Sequence, residues 1–188
     1  MSDYTYLIRR KVFKLFGAAF HIYDPQGQLI GFSNQKAFKL KEDIRVYTDE
    51  TMSKELLYIQ ARQVIDFSAS YDVYDSATSQ HLGAWQRKGL ASLVRDNWLL
   101  FDPQGNQVGE IKEDSLGLAL VRRFVTNLIP QDYNLNYGPQ NMPVASYGQC
   151  FNPFIFKLKV NVPPNCPLLP QLGLAGGILL SAIEGRQS

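Results

Sequence analysis

His21 and His81, with Cys150 and Cys166, are the chain's only imidazoles and thiols. Neither histidine has a second ligand at metal spacing, such as a histidine four residues away or a cysteine pair two apart, so no metal is expected. His21 lies between Phe20 and Ile22, which points it to the wet side of a strand, and His81 follows Ser79-Gln80 in a turn. Both read as surface imidazoles. There is no Gly-x-Ser-x-Gly elbow, Walker loop or dinucleotide glycine fingerprint. Glu110, Glu113 and Asp114 cluster just before a helical pattern, where carboxylates favour the helix N-terminus. The expectation is a non-enzyme that carries no cofactor.

The basic residues are the remaining candidates for function. They fall in four clusters: Arg9-Arg10-Lys11 with Lys14, Lys36 with Lys39 and Lys41, Arg87-Lys88 with Arg95, and Arg122-Arg123. On a strand the two-residue period puts Lys39 and Lys41 on one face, and Lys157 and Lys159 likewise. Such a face can be an ordinary solvated surface that also protects sheet edges. It can also hold anionic headgroups, each Lys or Arg near an acidic membrane contributing about 1 kcal/mol.

The elements that position these residues announce themselves through a repeat. Tyr23-Asp24-Pro25-Gln26-Gly27 returns as Phe101-Asp102-Pro103-Gln104-Gly105, with Gly31 and Gly109 each four positions later. Weaker copies contain Asp49 and Asp75, and the four aspartates are 25, 26 and 27 residues apart. Asp at the start of a turn accepts from the backbone two residues on, Pro fixes φ, and Gly closes the hairpin with a left-handed residue. These aspartates are read as turn formers rather than calcium ligands, because a calcium loop needs several carboxylates at alternating positions. Between the turns apolar and polar residues alternate, as in Leu57, Ile59 and Ala61 against Tyr58, Gln60 and Arg62. Phe38, Leu40, Ile44 and Val46 form another such set, and so do Phe154, Phe156, Leu158, Val160 and Val162. Four hairpins give eight strands by Lys112, and 133–137, 142–149 and 151–162 add three or four more. Regular spacing of so many strands favours a barrel or sandwich, and closure removes exposed edges.

Two segments differ. Apolar residues at Leu116, Leu120, Val121, Phe124, Val125 and Leu128 predict a connecting helix, with Ser115 as cap and Pro130 as stop. Residues 168–183 read LLPQLGLAGGILLSAI, with only Gln171 and Ser181 polar. A helix apolar all round is surrounded by protein or by lipid. At roughly 24 Å this one is short for a bilayer, so a buried core helix is expected rather than a transmembrane span.

Composition agrees with one domain over 1–188. A chain of 188 residues that is 45% apolar and 19% charged can bury roughly 70% of its unfolded surface, and it is neither disordered nor a coiled coil. A net charge of +2 is too small for a dedicated nucleic-acid binder. Two cysteines make no disulfide framework, and neither a secretory signal nor a lipidation motif is recognisable, so a reduced cytoplasmic protein is expected.

About a dozen antiparallel strands closed around one hydrophobic C-terminal helix is the architecture of the tubby-like superfamily. The chain resembles its LURP-one-related branch, itself related to phospholipid scramblases. The resemblance runs through Phe20 to Gly27 (FHIYDPQG), Tyr71-Asp72-Val73-Tyr74-Asp75, Arg87 to Trp98 (RKGLASLVRDNW), Phe151-Asn152-Pro153-Phe154-Ile155-Phe156-Lys157 and the apolar helix before Glu184-Gly185. It implies a mainly β fold, a closed barrel of about twelve strands around a central C-terminal helix, and a domain that meets acidic lipid, peripheral to a membrane. Where scramblases carry an acidic, calcium-associated stretch, this chain has Val162-Pro163-Pro164-Asn165-Cys166-Pro167, without a carboxylate. Calcium binding is therefore not expected, and the tubby phosphoinositide site has no residue-by-residue match. Because Arg87-Lys88-Gly89 falls within the resembling stretch, the expected anion site is Arg87, Lys88 and Arg95 with Lys39 and Lys41. The competing readings are a soluble protein-interaction scaffold and a scramblase-like membrane protein.

Overall fold

The structure is a computed structural model that describes residues 4–13, 17–35, 43–65, 68–88, 97–113, 130–152 and 155–183. Nine strands run from the N-terminus to Glu113: β1 (Tyr6–Phe13), β2 (Gly17–Tyr23), β3 (Leu29–Gln35), β4 (Ile44–Tyr47), β5 (Glu55–Ile65), β6 (Ser68–Asp75), β7 (His81–Arg87), β8 (Asn97–Phe101) and β9 (Gln107–Glu113). Three more follow, β10 (Asp132–Tyr137), β11 (Met142–Cys150) and β12 (Phe156–Asn161), then a helix, α1 (Pro170–Ile183). Each strand pairs antiparallel with its neighbours in sequence, and β1 pairs with β12, so the twelve strands close into a barrel. The connecting helix expected at 116–128 and Phe38 and Leu40 of the alternating set Phe38, Leu40, Ile44 and Val46 lie outside the described residues.

The sequence repeat is a repeat of barrel-rim turns. In every copy the aspartate side chain accepts a backbone N–H within its turn: Asp24 from Gln26 and Gln28, Asp49 from Thr51, Asp75 from Thr78 and Asp102 from Asn106, at 2.8–2.9 Å. The bonds hold the carboxyls of Asp49, Asp75 and Asp102 below their ordinary range, so all three remain ionised at neutral pH. The ladder register shifts just ahead of each turn, at Ile22/Tyr23, Val46/Tyr47, Val73/Tyr74 and Leu100/Phe101. A bulge adds local twist and bends the strand, which suits the rim of a barrel. Gly105 sits at φ +86 with open space where a Cβ would be. Gly105→Ala is therefore expected to cost about 1 kcal/mol of conformational energy without a clash, read as a lowered urea midpoint.

All four turns open at the end of the barrel where α1 starts, here called the upper mouth. Strand alternation sends Ile8, Phe20, Ile22, Ile59, Val73, Leu100, Ile111, Leu135, Leu158 and Val160 inward, each fully buried or nearly so. They surround α1, which touches β12 and β1 on one side of the barrel and β6 and β7 on the other. Leu172, Leu174, Ala175, Ile178, Leu179, Leu180 and Ala182 are buried, which accounts for a helix with no polar face. Pro170 sets the start, since a proline lacks only an N–H that the first helical turn leaves unpaired anyway. Three buried polar side chains on or against the helix are paired in place. Trp85 Nε1 donates to the Leu172 carbonyl at 3.1 Å, the Tyr147 hydroxyl to that of Gly173 at 3.3 Å, and the Ser181 hydroxyl to that of Gly177 at 2.7 Å. Burial raises the Tyr147 phenol far above its ordinary range, so it stays a donor. Among the described residues no helix is long and apolar enough to cross a membrane.

Candidate anion-binding face

The pairing that closes the barrel also brings together two basic segments from opposite ends of the chain. On β1 the alternation sends Arg10 inward with Ile8, at 6% exposure, while Arg9 and Lys11 face solvent. The Arg9-Arg10-Lys11 run is thus split between the two sides of the sheet. On β12, Leu158 and Val160 are buried, so Lys157 and Lys159 point outward. The register sets Arg9 directly opposite Lys157 and Leu7 opposite Lys159. On its other side Arg9 faces His21 of β2, whose Nε2 lies 2.7 Å from Glu50 Oε1. Lys159 Nζ stands 5.6 Å above the Tyr4 ring, a cation–π distance. Lys159 also borders a shallow polar depression of about 340 Å³ over β10–β12, lined by Asp132, Ser146, Gly148, Gln149, Cys150 and Asn161. Like charges directly opposite each other destabilise a sheet, so the Arg9–Lys157 pair is a cost to the fold that an anion would offset.

The residues expected from the sequence are placed differently. Arg87 ends β7 opposite Trp98 of β8, and Lys88 follows it. Lys88 Nζ lies 3.7 Å from Glu110 Oε2, and Lys112 pairs with the other oxygen of the same carboxylate. An anion arriving at Lys88 therefore meets a carboxylate already held there. Lys39, Lys41 and Arg95 lie outside the described residues, as do Lys14, Lys36, Arg122 and Arg123.

A second polar cluster lies on the outer face of β5–β7. Asp72 is buried to 6% exposure, accepts a forked pair of bonds from Arg62 and lies 3.0 Å from His81 Nε2. His81 is thus half-buried at the start of β7 and paired, rather than an isolated surface imidazole. Its ring is 5.1 Å from Tyr74, which stacks on Tyr58 at 6.0 Å. Arg45 covers Tyr58 at 4.5 Å, and the Tyr58 hydroxyl donates to Asp43, which with burial pushes the phenol up to about 12. Among the described residues no Ser, Thr or Cys is hydrogen-bonded to either histidine, and no group of three His, Cys, Asp or Glu could hold a metal. Cys150 and Cys166 are free thiols. The cluster does structural work by neutralising a buried carboxylate, and its geometry offers no nucleophile–base pair.

No family model, curated protein or solved structure matches the chain. The residues alone must carry the functional reading.

Proposed function

We propose that the protein is a non-catalytic barrel that docks on acidic lipid headgroups, with Arg9, Lys11, Lys157 and Lys159 facing the membrane. The observation that carries this reading is the direct opposition of Arg9 and Lys157 on the two strands that close the barrel. The barrel interior is filled by α1, so among the described residues the basic side chains that could meet a lipid headgroup lie on the outer surface. The turns of the upper mouth carry Asp24, Asp49, Glu50, Asp75 and Asp102 against Lys54, which turns that end away from an acidic surface. The resemblance to LURP-one-related and tubby-like proteins supports the same reading. Four cations at about 1 kcal/mol each would favour the acidic surface by roughly a thousandfold.

Flotation with vesicles containing phosphatidylserine and phosphoinositide tests it. Binding is expected at low salt, with steep loss as salt rises toward physiological strength, and none to vesicles of phosphatidylcholine alone. Equal recovery on acidic and neutral vesicles, or none on either, would support the scaffold reading instead.

A further inference from the structure

At the upper mouth a cleft of about 150 Å³ opens between the β6–β7 turn, the β8–β9 turn and the segment leading into α1. Leu82, Leu100, Leu168 and Leu172 form its floor, each less than 9% exposed. Its rim combines an exposed apolar side chain, Leu169, with the charged Asp102. Behind the floor, Gly83 lets β7 pack closely against β8 and the helix. Its φ is +145, and a Cβ there would stand 2.5 Å from the Phe101 carbonyl and 3.4 Å from a Leu172 methyl. The register shift at Val73/Tyr74 brings the start of β7 against the helix and aims Leu82 inward beside Leu172. An apolar floor offers water no partners, and an apolar cavity of roughly this size, about 150 Å³, accepts a single benzene ring.

We propose that this cleft binds a small organic cation, one aromatic ring carrying an ammonium group on a short arm, with the ring on the leucine floor and the ammonium at Asp102. The site shares no residue with the anion-binding face, and the charged group at its rim is acidic. Its volume is far too small for a lipid acyl chain, which sets the ligand size. Charge sets the sign. Asp102 Oδ1 accepts from the Asn106 N–H at 2.8 Å and Oδ2 from Asn106 Nδ2 at 2.9 Å, with further help from the backbone N–H groups of Gln104 and Gly105, and these bonds hold the carboxylate ionised at the rim. Asp24, Asp49, Glu50 and Asp75 on neighbouring turns add to the same negative field. Apolar pockets with one or two placed polar groups are the usual form of small-molecule sites.

The test is titration of the full chain with 2-phenylethylammonium, followed by leucine methyl resonances, with phenylacetate as the control of opposite charge. The methyls of Leu82, Leu100, Leu168 and Leu172 should shift together with a Kd of about 1 mM. Phenylacetate should bind at least about fivefold more weakly, and Asp102→Asn, which keeps the turn's acceptor oxygen, should remove most of that difference. Val108→Phe, a lining position that is only partly buried, should fill the cleft and abolish the shifts. Absence of floor-methyl shifts at about 20 mM ligand, twentyfold above that Kd, would overturn the proposal. Equal affinity for phenylacetate would overturn its charge assignment, and shifts that persist in Val108→Phe would overturn its location.

Discussion

Gly177→Val should destabilise the protein by about 3 kcal/mol or more, enough to leave much of it unfolded at 37 °C. A Cβ on Gly177 would stand 2.6 Å from Val160 Cγ2 and 2.9 Å from Ile8 Cδ1, the inward side chains of the two strands that close the barrel. Ile8 can move its terminal methyl, but the β-branched Val160 is restricted at χ1 and has less freedom to retreat. The milder Gly177→Ala separates the two environments open to an apolar helix. In water or lipid, alanine would favour the helix by about 1 kcal/mol over glycine. Inside this barrel the overlap outweighs that gain, and a net loss of about 1–2 kcal/mol is expected by urea denaturation. Adding Val160→Ala to Gly177→Ala should recover part of it, a coupling of about 1 kcal/mol that requires the two residues to touch.

Charge reversal at both Arg9 and Lys157 should abolish recruitment to acidic vesicles. Arg9→Glu with Lys157→Glu changes the face by four charges, and at about 1 kcal/mol per charge the affinity should fall at least a hundredfold and lose its salt dependence. Stability provides an internal control. Either single reversal places a carboxylate opposite a cation and should raise stability by about 0.2–1 kcal/mol, whereas the double reversal restores a like-charged pair and should return it to the starting value. Unfolding therefore cannot account for lost binding in variants that are as stable as the parent or more so. The scaffold reading requires unchanged recruitment in all three.

Most of the fold was legible in local chemistry. Asp24, Asp49, Asp75 and Asp102 mark their hairpins because turn geometry depends on the few residues in the turn. Strands such as β5 and β12 reveal their inner face because burial imposes a period of two. The helix declared itself by having no polar side, and its true start at Pro170 follows from proline's suitability for a first turn. β1 was harder to see. Arg9-Arg10-Lys11 masks the alternation, since Arg10 faces inward on a strand whose apolar neighbours do the same. The site was less legible than the fold for a related reason. Lys157 and Lys159 were readable as one face, and Arg9 with Lys11 as a basic segment. Their adjacency comes from the β1–β12 pairing, a contact between chain ends that no local pattern encodes. Arg87-Lys88 looked stronger on sequence because Glu110, which meets Lys88, comes from another strand.

Both the filled interior and the outward-facing site depend on α1 staying inside the strands, with and without a membrane. Amide hydrogen exchange at Leu174, Ala175, Ile178, Leu179 and Leu180 measures this directly, on the free protein and on protein bound to acidic vesicles. These amides should exchange only through global unfolding, alongside those of β1 and β12, with the same protection in both states. Exchange of the helix ahead of the strands, or a change in its protection when vesicles are added, would contradict the enclosed helix and the membrane-facing strands together.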